Sequence, residues 1–430
     1  MPIQLEFGLQ WSTEALENVI DHGNEISSLA LHCDVDPTPL LHQLVTLSGP
    51  SIERLGVYSE SGWWGEEPTA DEVWRGLPSL RELFAYRYPI QIYQLAAPNL
   101  VHLAMEQGGC SRDATIQSIL NMLRGCPLLE TLLIIHPSSY PDIINDHSPV
   151  SLPHLRSIEL GAHEVNSGLI TYLQYPPGVA VGLRTLIKSD LCGEISPSVM
   201  ATTQYVLGRI DIYSITLAVP PPFQEYSNLI ARFEGLRGSL EVTACEIAFR
   251  ADTGAQFVDG LFGPEGVLFS HSPRIEVREL HIVGCAFGDG QGLRHISVAL
   301  PNVVSISFFG CGEPRTLGLV PTNPSSLPFP HLERIMVLGP TLGLREMVEA
   351  RRDHGIPLKT IVIGRGHVGF EYDHLEDYSG LGEIVSDLRV GCPTEILEWG
   401  VENEILKVWS MVEVPGPVSP TGNPIVIVQG

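Results

Sequence analysis

The stretch CPLLETLLI, residues 126–134, decides how this chain is read. Leu129, Leu132 and Ile134 occupy the first, fourth and sixth places of a six-residue unit, and Pro127 stands two residues ahead of it. The fourth and sixth residues share one face of a strand, so the unit points its apolar side chains one way and its intervening residues the other. The same unit recurs upstream as ISSLAL (26–31), IERLGV (52–57), LRELFA (80–85) and LVHLAM (100–105). Downstream come LRSIEL (155–160), VRELHI (277–282), VVSISF (303–308), LERIMV (332–337) and LKTIVI (358–363). Weaker copies are LRTLIK (183–188) and the segment around Ile215 and Leu217.

The fourth places fall at 29, 55, 83, 103, 132, 158, 186 and 215, in steps of 26, 28, 20, 29, 26, 28 and 29. After an irregular stretch they resume at 280, 306, 335 and 361, in steps of 26, 29 and 26. Leucine-rich repeats have a period of about 20–29 residues. The expected fold is therefore α/β, a leucine-rich-repeat solenoid shaped as a horseshoe. A parallel β-sheet lines its concave face, and helices or extended connections form the convex one. One unit cannot bury its apolar face alone, so neighbouring strands stack and share a core.

Helical faces are legible between the strands. Ile116, Ile119, Leu120 and Leu123 share one, with Asp113 as the expected cap and Gly125 as the stop. Leu344, Met347 and Val348 follow Thr341 and end at Gly355, and Leu40, Leu41, Leu44 and Val45 follow Asp36 and end at Gly49. Leu381, Ile384, Val385 and Leu388 predict another helix ending at Gly391. The short step from 83 to 103 predicts an extended connection through RYPIQIYQLAAP. The expected organisation is an N-terminal cap segment over 1–25 and a solenoid over 26–393. An irregular Gly-rich insertion near 239–275, holding a doubtful strand at Leu240 and Val242, interrupts the solenoid. A C-terminal cap over 394–412 with Trp399 and Trp409 follows, and then a flexible tail over 413–430.

Composition narrows the function. The 430 residues are 44% hydrophobic and 17% charged, too apolar for a disordered chain. The formal net charge is −25, and no Lys or Arg precedes Arg54. Such a field repels a phosphate backbone and an anionic membrane, so neither nucleic acid nor membrane is an expected partner. No apolar run reaches the roughly 18 residues of a membrane span, and the N-terminus carries no signal-peptide pattern. Eight cysteines without CxxC spacing read as reduced thiols, which places the protein in cytoplasm or nucleus.

The units CPLLETLLI, LPHLRSIEL, LPNVVSISF and FPHLERIMV, with LREMVEARRDHGIPLKTIVI (344–363), resemble the leucine-rich repeats of F-box proteins, the large fungal set in particular. The resemblance covers roughly residues 26–395. It implies that the repeats hold a substrate protein for an SCF ubiquitin ligase. In that family an N-terminal F-box docks on the adaptor subunit. Here only 25 residues precede the first repeat and they lack the F-box pattern, so adaptor binding is expected only if an F-box lies upstream.

Motifs that could carry chemistry read as structural. GRGHVG (364–369) spells GxGxxG after a strand, but the acidic, aromatic FEYDHLEDY follows where a helix must open. Asp142, Asp146 and His147 lack metal-ligand spacing, and His163, Glu164 and His281 read as surface residues beside strands. Glu66 and Glu67 lie in a loop beside Trp63 and Trp64. No GxSxG, HExxH or P-loop occurs. The expectation is a non-enzymatic protein-binding scaffold with no cofactor and no metal. Two alternatives are an orphan repeat protein without a ligase link and a hydrolase with its site on 250–275.

A partner would bind the concave face, where the intervening residues of each unit point. These are Arg54, Tyr58, Glu82, Phe84, Tyr86, His102, Glu106, Thr131, Leu133, Ile135 and Glu159, then His281, Phe309, Met336 and Leu338. Phe84, Tyr86 and Phe309 are the expected exposed aromatic anchors.

Overall fold

The computed structural model describes residues 3–7, 26–33, 51–59, 77–86, 97–106, 115–135, 148–162, 168–187, 197–218, 227–246, 253–263, 266, 276–284, 291–309, 319, 327–338, 343–364 and 380–391. They are α/β with a mostly parallel sheet, and they fall into two compact units, one up to Arg184 and one from Thr185 on.

The first unit strings together β1 (Ile3–Phe7), β2 (Ile26–Cys33), β3 (Arg54–Ser59), β4 (Glu82–Tyr86), β5 (His102–Glu106), α1 (Ile116–Arg124) and β6 (Thr131–Ile135). After these come β7 (Val150–Ser151), β8 (Ser157–Ala162), β9 (Leu173–Gln174) and β10 (Ala180–Ile187). The strand order is β1-β2-β3-β4-β5-β6-β8-β10, while β7 and β9 form a separate two-stranded parallel ladder. Each fourth-place residue pairs with the next: Leu29 with Leu55, then Leu83, Leu103, Leu132 and Ile158. All six are buried, as are the first-place residues Ile52, Leu80, Leu100, Leu129 and Leu155. A shift of one residue in any strand would turn its spine outward, which is why the register holds.

The proline ahead of the unit has a defined job. In Leu77-Pro-Ser-Leu80 the N–H of Leu80 donates to the carbonyl of Leu77 at 3.1 Å, closing a β-turn with proline at its second position. The same turn joins Leu100 to Ala97 at 3.0 Å, Leu129 to Cys126 and Leu155 to Leu152, both at 3.2 Å. The residue before each proline is buried, so the turn adds one more inward side chain per unit. Cys126 is one of them, and burial pushes its thiol up to about 12.

The second unit opens with α2 (Pro197–Leu207) and β11 (Ile212–Ala218) and continues through β12 (Ser227–Gly235), β13 (Gly238–Glu246), α3 (Thr253–Phe262), β14 (Glu279–Val283), α4 (Gln291–Ala299) and β15 (Ser305–Phe309). It ends with β16 (Arg334–Leu338), α5 (Leu344–Asp353), β17 (Thr360–Gly364) and β18 (Asp387–Gly391). The order is β13-β12-β11-β14-β15-β16-β17-β18. From β11 to β18 the pairing is parallel and sets Ile215, Leu280, Ile306, Ile335, Ile361 and Leu388 side by side. The proline turn recurs at Val303 to Leu300 (3.4 Å) and at Leu332 to Phe329 (3.0 Å).

Several expectations need correcting. α1 is capped by Thr115, not Asp113: the Thr115 hydroxyl accepts from the Ser118 N–H at 3.1 Å, and Ser118 Oγ accepts from the Thr115 N–H at 2.7 Å. The helix expected over 381–388 is a single 3-10 turn at Leu381–Glu383, and Leu388 belongs to β18. Its i, i+3, i+4 spacing also fits one turn followed by a first, fourth and sixth strand unit, and the parallel register with β17 decides for the latter. The described residues of the insertion near 239–275 are regular. β12 and β13 form an antiparallel hairpin closed by Leu236 and Arg237 between Gly235 and Gly238, where Gly238 sits at φ 134. AQFVDGLF is the helix α3, burying Phe257, Val258, Leu261 and Phe262 along one face.

α5 holds a buried cation. Arg351 donates to the carbonyls of Pro328 (3.0 Å), Phe329 (3.0 Å) and Leu332 (3.1 Å), tying the helix to the turn before β16. Burial lowers its guanidinium to about 10. The α5 cap is Gly343 at φ 85, and Gly355 at φ 74 follows its end as expected. The connection through 87–96, the segment from Asp36 to Gly49, GRGHVG beyond Gly364 and the ends over 394–430 lie outside the described residues. So do Trp63, Trp64, Glu66, Glu67, Asp142, Asp146, His147, His163 and Glu164.

Candidate functional sheet face

On each strand the third, fifth and seventh places point away from the spine. In the first unit they make three rows running across the strands. The third-place row is Arg54, Glu82, His102, Thr131 and Ser157. Arg54 Nε meets Glu82 Oε1 at 3.2 Å, and a 2.7 Å hydrogen bond joins His102 Nδ1 to Thr131 Oγ1. Carboxylate, imidazole and hydroxyl stand in sequence, but Glu82 is engaged by Arg54. The row works as cross-strand pairing that fixes register.

The fifth-place row is Gly56, Phe84, Ala104, Leu133 and Glu159, and the seventh is Tyr58, Tyr86, Glu106, Ile135 and Gly161. Phe84, Tyr86, Leu133, Ile135, Tyr58, Glu106 and Glu159 are all half-buried, so this face meets solvent along both rows. At its far side Arg184 forms an ion pair with Glu159. Two glycines make room for that pair. A Cβ on Gly161 would stand 2.8 Å from Arg184 Cβ, and one on Gly182 would stand 3.1 Å from Glu159 Cγ. Burial raises the Glu106 carboxyl above its usual range; Arg184 opposes the rise and Glu159 adds to it.

The corresponding rows of the second unit are mostly buried, with Arg389 exposed at the β18 end. The fifth-place row runs Thr216, His281, Ser307, Met336, Val362 and Arg389, and the seventh runs Ala218, Val283, Phe309, Leu338 and Gly364. Phe309, Met336, Leu338 and Val362 form one buried cluster, with Val283 packed against it. Phe309 is 4% exposed, Met336 1%, Leu338 8% and His281 7%. Phe309 is thus no exposed anchor, and His281 is no surface residue. The register puts all four on the face expected for them, but burial takes that stretch of the face out of solvent. The sequence carries a signal for this: the outward places of β15, β16 and β17 are themselves apolar at Phe309, Met336, Leu338 and Val362.

Among the described residues no group of three His, Cys, Asp or Glu side chains is placed to hold a metal ion. Among them, too, no helix is long and apolar enough to cross a membrane. Among the described residues outside the sheet, His295 Nδ1 lies 2.6 Å from Asp259 Oδ1, bridging α4 and α3.

No family model and no curated protein matches the chain. Among solved structures, a chain in the crystal structure of the Rad7 and Elc1 complex in yeast aligns with it at 14% identity and a TM-score of 0.30. The alignment covers 76% of this chain and 66% of that one. The chain therefore spans slightly under two thirds of the length of the chain it matches.

Proposed function

We propose that this chain is a leucine-rich-repeat scaffold without enzymatic activity, and that it binds a partner protein on the sheet face of its first unit. In this reading the stacked strands are coils of a solenoid, and the partner lies across β3 to β8. The supporting observation is the pair of in-register rows Phe84, Ala104, Leu133 and Tyr86, Glu106, Ile135, apolar at most places yet half open to solvent. Large rigid aromatics on such a face are the side chains that carry interface energy. The resemblance to F-box repeats extends the reading to substrate recognition for an SCF ubiquitin ligase, where the bound protein would be the substrate.

The test is cross-linking of the tagged full chain to its partner, with cross-linked sites mapped and affinity measured. Cross-links should cluster on β3 to β8, and Phe84→Ala combined with Tyr86→Ala should weaken binding about tenfold or more. Unchanged affinity, or cross-links confined to the second unit, would overturn the reading. Whether an SCF adaptor co-purifies decides the ligase link, and turnover of ester, phosphate or glycoside substrates would return the protein to the hydrolases.

A further inference from the structure

Among the described residues, the third, fifth and seventh places of β3 to β8 carry three carboxylates, and two have cations. Glu82 is paired with Arg54, and Glu159 with Arg184. Glu106 has no ion pair among the described residues. Its position is apolar on three sides. Tyr86 and Ile135 flank it in register on β4 and β6, and Phe84, Ala104 and Leu133 form the adjoining row. Ala104 is the residue two places before Glu106 on the same strand, so it adds no bulk between the Phe84 ring and Leu133. The carboxyl is half-buried and shifted upward chiefly by burial. That is the condition of a carboxylate that has lost water without gaining a full countercharge. Arg184 is the nearby cation, and its ion pair with Glu159 across Gly161 and Gly182 keeps it at the β8 side.

We propose that Glu106, with Tyr86 and Phe84, forms a subsite for one arginine or lysine side chain of the partner protein. The aliphatic stem would lie on Ala104, Leu133 and Ile135, and the cationic head would reach the Glu106 carboxylate beside the two rings. Three interactions then act on one group: burial of the stem against apolar side chains, attraction of the cation to the aromatic faces, and an ion pair in a site already short of water. The formal net charge of −25 favours approach of a basic segment over an acidic one. This deepens the proposed function and rests on the same face being the binding surface.

The test pans a phage library of random dodecapeptides on the full chain. Binders lost on Leu133→Arg are taken as binders of this face. They should share an arginine or lysine at one position. Replacing it with citrulline or norleucine should weaken binding to the wild-type chain about tenfold or more. On Glu106→Gln, the parent peptide should be weakened by a similar factor, and the same replacement should then have little further effect, as coupling between the two groups demands. The replacement is read on the wild-type chain, so that measurement stands even if Glu106→Gln folds poorly, and a folded Leu133→Arg, checked by circular dichroism, qualifies the binders. Face binders with no recurrent cation, or a replacement effect that persists in full on Glu106→Gln, would overturn the subsite while leaving the face reading intact. A library that yields no binder sensitive to Leu133→Arg would overturn both.

Discussion

The two units repeat one strand pattern, yet the faces opposite their spines behave differently. In the first unit the fifth and seventh places carry Phe84, Ala104, Leu133, Tyr86, Glu106 and Ile135, and most of them are half open. In the second, Met336, Val362, Phe309 and Leu338 stand at the same places and are buried together. The register is equally regular in both. What differs is cover rather than composition: even the polar Thr216, His281 and Ser307 are buried in the second unit, whereas Phe84, Leu133 and Ile135 stay half open in the first. Strand alternation decides which face a side chain joins; what packs over that face decides whether it is left to solvent. A binding surface needs both properties at once, apolar enough to gain from burial and polar enough to remain open alone. Glu106 and the Glu159–Arg184 pair supply the polar part in the first unit.

The comparison yields a large effect first. Phe309→Ala should lower unfolding free energy by about 3–5 kcal/mol, because it opens a cavity in a closed cluster. Phe84→Ala, half-buried at its outset, should cost less than about 1.5 kcal/mol. Urea unfolding of the two variants checks this, and equal losses would break the distinction between the faces.

A smaller effect sharpens it. Glu106 faces Tyr86 and Ile135 from the neighbouring strands, with Glu159 and Arg184 beyond. Its folded pKa is raised, so its contribution is fully present below the ordinary value near 4.5 and is lost as pH climbs through the folded value. Glu106→Gln keeps the protonated shape at every pH. It should match the wild type near pH 4 and exceed it in stability near pH 7, as read from unfolding midpoints at the two values. A variant less stable than wild type at pH 7 would mean that the carboxylate is already held by a countercharge.

Much of the fold is legible in the sequence for a simple reason. Position four is buried in nearly every parallel strand unit, so Leu29, Leu55, Leu83 and Ile335 announce themselves, and the proline turns before units such as those of Leu83 and Ile335 repeat the signal. Strands without that spacing were harder. β12 and β13 alternate with period two and turn through GLRG, a hairpin logic foreign to the repeat. Leu381 to Leu388 misled because a turn followed by a strand unit reproduces helical spacing over eight residues. The cap of α1 passed to Thr115 because Ser118, three residues on, completes a reciprocal pair that Asp113 has no counterpart for. The site was half legible. Position gave the face of Phe84 and Phe309 alike, whereas the burial of Phe309 depends on everything that packs above it.

The most direct test is hydroxyl-radical footprinting of the folded chain. Methionine sulfur is intrinsically among the most readily oxidised groups, so Met336 should react quickly if its face were open. Tyr86 and Phe84 should be modified while Met336 and Phe309 stay protected until the protein unfolds. Oxidation of Met336 in the native state at a rate matching Tyr86 would contradict this.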